Sequence, residues 1–260
     1  MHNNDSRAWR QGSALPEPMA RPLGVRGHQR EAHTVGSVTM GRDLHLETAA
    51  EALIALALDI DPRVVSIRPQ PFTVRLDLMQ VFATRTEAMA AKPAVARRSQ
   101  RASEDEVHVY TPDFLVGSDQ PIGLVIESKP RAELDRIQTE IAQIRQALCD
   151  LGYRFVCVTE EPLASSGMHS NLVSMRDAIH GLARADARQR LQALQDAVSL
   201  KAEPMPLSHL RTHLPDDILL MGIACGVLGC DLRQGILKSS TLVWPAHGDL
   251  THRQLLDLEA

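Results

Sequence analysis

Aromatic side chains are scarce in this 260-residue chain, at 3% of the sequence with four Phe, two Trp and two Tyr. Leu, Val, Ile and Ala must therefore fill any core. Cysteine is scarce as well. Cys149, Cys157, Cys225 and Cys230 lie in apolar or helical contexts without the dense spacing of a disulfide scaffold, which reads as free thiols in a reducing cytoplasm. No apolar run approaches the roughly 18 residues that a membrane span needs. The longest, at residues 218–227, is interrupted by two glycines, and the N-terminus shows no charged-then-apolar leader, so the expectation is a soluble cytoplasmic protein. An overall positive charge is also missing, with a net charge of −4 and a pI near 6.3. That balance neither supports nor excludes a nucleic-acid role, since it leaves room for a local basic path beside clustered carboxylates. What is present is an ordinary globular mixture, 44% hydrophobic and 23% charged, enough for one large domain or two small ones.

Residues 1–40 mix Asn, Pro, Gly, His and Arg with neither helical nor strand periodicity, and read as a disordered arm in which Trp9 is the one large apolar residue. From residue 46 strong helix formers dominate until Asp61-Pro62, where the residue before proline is pushed out of helical geometry. Residues 64–78 alternate apolar and polar around Pro69 and Pro71 and read as one or two strands. Residues 83–106 break the pattern and read as an inserted loop whose basic part, 92–101, has two readings, contact with a phosphate backbone or a solvated loop. Two strands follow, 107–116 and 122–129, joined by good turn chemistry at 117–121. Next comes an amphipathic helix over 132–151 with Leu134, Ile137, Ile141, Ile144 and Leu148 on one stripe, capped by Gly152. A strand is predicted at 153–159. Helices are predicted at 171–183, 186–199, 207–213 and 216–228, and a hairpin within 235–244. Short helices followed by a hairpin outline a winged-helix module.

The chemistry rests on order and spacing. Asp113 follows Thr111-Pro112 at the start of an apolar segment, and fourteen residues later Leu124-Val125-Ile126 delivers Glu127-Ser128-Lys129. Side chains alternate along a strand, so Glu127 and Lys129 share a face while Ser128 points away. If the two strands pair as a hairpin, Asp113 comes beside Glu127. Two carboxylates with a lysine beside them form a hard-oxygen site suited to Mg²⁺ or Mn²⁺, and such a site can cut a phosphodiester bond. Glu-x-Lys occurs once in the chain, since Lys92, Lys201 and Lys238 have no acid two positions before them. Pro215-Asp216 repeats the other half of the pattern and reads as a helix start.

Thr111-Pro112-Asp113-Phe114-Leu115-Val116 followed by Glu127-Ser128-Lys129-Pro130 resembles the restriction-endonuclease-like core known as PD-(D/E)xK, and more closely the TnsA endonuclease subunits of heteromeric transposases. Thr48-Ala49-Ala50-Glu51 with Asp61-Pro62 ten residues on is similar to that family's helical Ser-x-x-Glu signature. Gln70-Pro71 is similar to its strand start, and residues 153–160 to its core strand. The resemblance spans roughly residues 44–165 and implies a mixed α/β sheet flanked by helices. The boundaries expected are 1–40 for the arm, 41–165 for the nuclease domain, and 166–260 for a mainly helical winged-helix-like domain. It implies Glu51, Asp113 and Glu127 as acidic metal ligands, Lys129 as the catalytic lysine, and Mg²⁺ as cofactor with Mn²⁺ able to substitute. The resemblance selects Glu51; by periodicity Glu47 and Glu51 share a helix face and both stay open. Gln70 has two readings, one structural and one in contact with DNA or a metal-bound water. The implied task is cleavage of the 5′ side at transposon ends in double-stranded DNA. An integrase-type transposase subunit would be the partner there, and an AAA+ ATPase would dock on the C-terminal region.

Two rival functions share these residues. One is a restriction or repair nuclease built on the same core; the other is a non-catalytic DNA-binding scaffold, against which all four candidate positions hold competent residue types. A separate constellation, His209 and His213 with Cys225 and Cys230, offers zinc-ligand types. The cysteines do not share a helix face cleanly, so buried thiols are the preferred reading. His108 reads as a surface residue.

Overall fold

The computed structural model describes residues 19–20, 33–91, 108–198, 201, 203–234 and 238–259. Trp9 and the basic segment 92–101 lie outside these.

The first element among the described residues is an antiparallel hairpin, β1 (His33–Ser37) against β2 (Arg42–Leu46), which buries Val35, Leu44 and Leu46. The last part of the segment read as a disordered arm is therefore ordered, and the boundary at residue 41 cuts a hairpin. The cause is non-local. Asp59, 2% exposed, accepts hydrogen bonds from Ser37 Oγ and from the backbone N–H of Val38 and Thr39. Helix α1 (Ala49–Ile60) starts later than residue 46 because Thr48 caps it, its hydroxyl accepting from Glu51 N at 3.1 Å. It stops before Pro62 as expected.

The central sheet has the order β3-β7-β8-β9, formed by β3 (Ser66–Pro69), β7 (Phe114–Gly117), β8 (Leu124–Ser128) and β9 (Arg154–Val158). The first two pairings are antiparallel and β8–β9 is parallel, joined by the crossover helix α3 (Arg131–Asp150), which ends at Gly152 with φ +86°. A second sheet, in the order β5-β4-β6, contains β4 (Thr73–Arg75), β5 (Gln80–Phe82) and β6 (Val109–Tyr110). Each of the segments 64–78 and 107–116 is thus divided between two sheets. The breaks fall at Gln70-Pro71 and Thr111-Pro112-Asp113, where proline removes a ladder donor. The two breaks face each other, with Gln70 N donating to Asp113 O at 2.9 Å.

Within the segment read as a loop, Arg85–Ala90 forms a short helix, α2, closed by a Thr84–Glu87 capping box. The buried Arg75 donates to the carbonyls of Ala88 and Ala91 and so ties α2 to β4. That long-range anchor has no counterpart in local periodicity.

Beyond the sheet come α4 (Met168–Gly181), α5 (Ala187–Val198), β10 (Met205–Pro206), α6 (Leu207–Arg211), α7 (Asp216–Ala224), β11 (Leu228–Cys230) and β12 (Leu242–Pro245). The last three strands form a small antiparallel sheet in the order β10-β12-β11. Two-residue β10 escaped the sequence reading because it is too short to alternate. The expected helix over 216–228 ends at Ala224, and its last residues turn at Gly226 (φ +78°) into β11.

One apolar core runs without interruption from Val35 through α1 and the inner face of the central sheet into α4, α5, α7 and the C-terminal Leu255, Leu256 and Leu258. Arginine-to-carbonyl hydrogen bonds reinforce this junction: Arg63 to Leu256 O at 2.8 Å, Arg154 to Leu258 O at 2.9 Å, and Arg253 to Ile60 O and Ala224 O at 2.6 Å each. A smaller cluster of Phe72, Val74, Tyr110, Val125, Ile144, Leu148 and Phe155 lies on the opposite face, under α3. Only the C-terminal half of α3 is buried; Leu134, Ile137 and Ile141 on the predicted stripe are half-exposed.

Candidate active site

The site forms where β7 and β8 emerge from the sheet. Strand β8 alternates faces: Leu124 and Ile126 enter the large core, and Val125 enters the smaller cluster. Glu127 follows Val125 by two and lies on that same face, 5% exposed. The pairing Phe114↔Ile126, continued by one step, sets Asp113 opposite Glu127. Asp113 Oδ2 accepts the backbone N–H of Ser128 at 2.8 Å, which locks the carboxylate against β8. Lys129, held in the parallel ladder by its N–H to Val158 O at 3.0 Å, brings Nζ to 2.6 Å from Glu127 Oε1. The expected neighbourhood of Asp113, Glu127 and Lys129 is thus present.

The electrostatics match that geometry. Burial, then the adjacent Glu127 carboxylate, push the Asp113 pKa up to about 8; the Ser128 N–H and Lys129 pull it down, and Glu51 adds to the upward push. Such a carboxyl is short of positive charge. Burial works to lower the Lys129 pKa, but Glu127 and Asp113 outweigh it and the ammonium is held above its usual value. Tyr110 lies well above the ordinary phenol range, from burial first and Glu127 second.

Glu51 is placed differently. It stands in the first turn of α1, near enough for its charge to act on Asp113. Its carboxylate is occupied locally, with Oε2 accepting Glu47 N at 3.0 Å and Oε1 accepting the Thr48 hydroxyl at 3.0 Å. Among the described residues no three His, Cys, Asp or Glu side chains come close enough together to hold a metal ion. Asp113 and Glu127 therefore supply two hard oxygen donors rather than a closed three-carboxylate cage. That still fits Mg²⁺, which takes one or two carboxylates and completes its shell with water and substrate phosphate. The zinc alternative fares worse. Cys230 is buried, its thiol pushed up to about 12 by burial, and Cys225 Sγ donates to Gly222 O.

Three further residues join the site in the fold, two of which the sequence reading had not raised. Tyr110, on the other sheet, donates its hydroxyl to Glu127 Oε2 at 2.7 Å. Cys157 pairs with Glu127 across the β8–β9 ladder, and burial with that carboxylate pushes its thiol up to about 11. Gln70 sits beside Asp113 in left-handed geometry (φ +42°), 2% exposed, with Oε1 lacking a hydrogen-bond partner among the described residues. Sequence had raised Gln70. For Tyr110 and Cys157 the available signal was a position on a strand.

The fold and site define a mixed-sheet α/β domain with two opposed carboxylates and a lysine at the end of a hairpin. Residues 61–160 match the family described as TnsA-like endonuclease N terminal, so this segment is similar to a TnsA-like endonuclease domain. The matched span contains Asp113, Glu127 and Lys129; Glu51 precedes it. No curated protein matches the chain significantly. No helix among the described residues is long and apolar enough to cross a membrane.

Proposed function

We propose that the chain is a Mg²⁺-dependent endodeoxyribonuclease of a transposition machinery, hydrolysing the 5′-strand phosphodiester bond at transposon ends. The carrying observation is the approach of Lys129 Nζ to Glu127 Oε1 at 2.6 Å, with Asp113 opposite on the neighbouring strand. In this reading Asp113 and Glu127 hold the cation, and Glu51 contributes once its carboxylate leaves the helix cap. When bound, the cation neutralises phosphate oxygens and acidifies an attacking water. Lys129 orients the nucleophile and offsets negative charge on the phosphorus oxygens as they develop it. The Ser128 N–H holds Asp113 in register so that both carboxylates face one phosphate. Double-stranded DNA and an integrase-type transposase subunit are the partners, and the compartment is the cytoplasm.

The C-terminal part carries the second half of the proposal. Helix α5, strand β10, helices α6 and α7, and strands β11 and β12 follow in the order helix–strand–helix–helix–strand–strand, which supports a winged-helix reading for residues 166–260. That region is the docking element for an AAA+ ATPase.

The test is Glu127→Ala in the assembled recombination system. Cleavage falls by about 10²–10³-fold or more, while the melting curve of the variant stays cooperative. A folded variant cutting at the wild-type rate refutes the proposal.

A further inference from the structure

Glu127 has both carboxylate oxygens engaged by different elements. Oε1 meets Lys129 Nζ at 2.6 Å and Oε2 accepts the Tyr110 hydroxyl at 2.7 Å. The second contact joins the two sheets, because Tyr110 belongs to β6, which pairs with β4, whereas Glu127 belongs to β8. Both partners are buried, Tyr110 at 8% and Glu127 at 5% exposure. The terminal torsion of a glutamate is broad and roughly two-fold. A donor fixed on one oxygen by a packed ring narrows that freedom to a single carboxylate plane.

We propose that Tyr110 is a positioning residue: its hydroxyl pins Glu127 through Oε2 and leaves Oε1 as the one oxygen offered to a divalent cation. This rests on Glu127 being a cation ligand. Tyr110 belongs to the buried cluster that contains Phe72, Val74 and Val125, so its direction is set by the core and not by the charge it serves. The Lys129 ammonium shares the offered oxygen, so an arriving cation meets a carboxylate that is already aimed. Partners of this kind behind a metal ligand typically contribute about 10–100-fold in metal affinity.

The test is calorimetric titration of Mn²⁺ into the full-length chain, with four proteins compared. Tyr110→Phe keeps the ring and removes the hydroxyl. It should weaken Mn²⁺ binding about tenfold while the metal-free protein still melts cooperatively. Val74→Ala perturbs the same cluster, next to Tyr110 in the β4–β6 register, without touching the hydroxyl; it should lower the melting temperature and leave Mn²⁺ affinity unchanged. Glu127→Ala should lose Mn²⁺ binding. In the assembled system the Mn²⁺ concentration for half-maximal cleavage should rise for Tyr110→Phe by the factor seen in calorimetry, with the rate recovering at saturating Mn²⁺. Wild-type Mn²⁺ affinity in Tyr110→Phe overturns the inference and leaves the nuclease reading standing. Equal weakening in Val74→Ala also overturns it, by making the effect one of packing. Undiminished binding in Glu127→Ala overturns the metal-site reading itself.

Discussion

The two faces of the central sheet do opposite jobs. The inner face sends Ile67, Phe114, Val116, Leu124 and Ile126 into a core continuous with α1 and the C-terminal helices. The outer face has a small apolar cluster under half of α3, and beside it stand Asp113, Glu127 and Lys129. One strand serves both, because alternation along β8 puts Ile126 in the large core and Glu127 in the site. Charged groups are tolerated on the outer face because its cluster is small and the half-exposed start of α3 leaves solvent nearby. The same carboxylates turned inward would have no compensating partners.

The largest expected effect divides those two neighbours on β8. Ile126→Ala should cost about 2–5 kcal/mol in urea unfolding yet leave catalysis per folded molecule intact. Glu127→Ala should do the reverse, losing cleavage at a smaller cost in unfolding free energy, since relief of the unfavourable coupling to Asp113 offsets part of what is lost with the Lys129 and Tyr110 contacts. If both variants lose stability equally, the division of labour between the faces is wrong.

A smaller effect is read in pH. The pKa of Asp113 in the folded protein, about 8, is above its unfolded value near 3.8. The folded state therefore holds a proton that the unfolded chain has given up. In metal-free buffer stability is fully present below about pH 4 on account of this group, declines as pH rises toward 8, and levels off above that. Mn²⁺ should flatten the decline, and Asp113→Asn should remove this contribution to it. Thermal melts from pH 5 to 9, with and without Mn²⁺, measure it; a slope unaffected by either change speaks against a charge-starved site.

The smallest effect concerns Gln70. An unpaired buried acceptor is costly, and an apolar group of similar shape is not. Gln70→Met should raise stability by about 1 kcal/mol. A clear loss instead would mean that Oε1 has a partner which the fold supplies under working conditions.

Legibility followed the range of the interactions. Asp113, Glu127 and Lys129 were readable because their relation is short-range: a hairpin and the two-residue period of a strand place all three. Helix α3 and its stop at Gly152 were readable for the same reason. The ordered hairpin at 33–46 was missed because Asp59 on α1 organises it, and α2 because Arg75 holds its carbonyls. Resemblance nominated Glu51, but its carboxylate reaches back to Thr48 and Glu47 N, a local capping choice that competes with the site.

By itself, then, the order of residues determined which segments alternate, where prolines interrupt them, and which acids and which amine ride on consecutive strands, since these depend on periods of two and 3.6 and on a missing N–H. Tertiary structure alone decided that the interrupted strands divide between two sheets and that the breaks at Gln70 and Asp113 face each other. It also brought the Tyr110 hydroxyl onto Glu127 across that division. Contacts between segments distant along the chain form only when burial of the shared core brings those segments together.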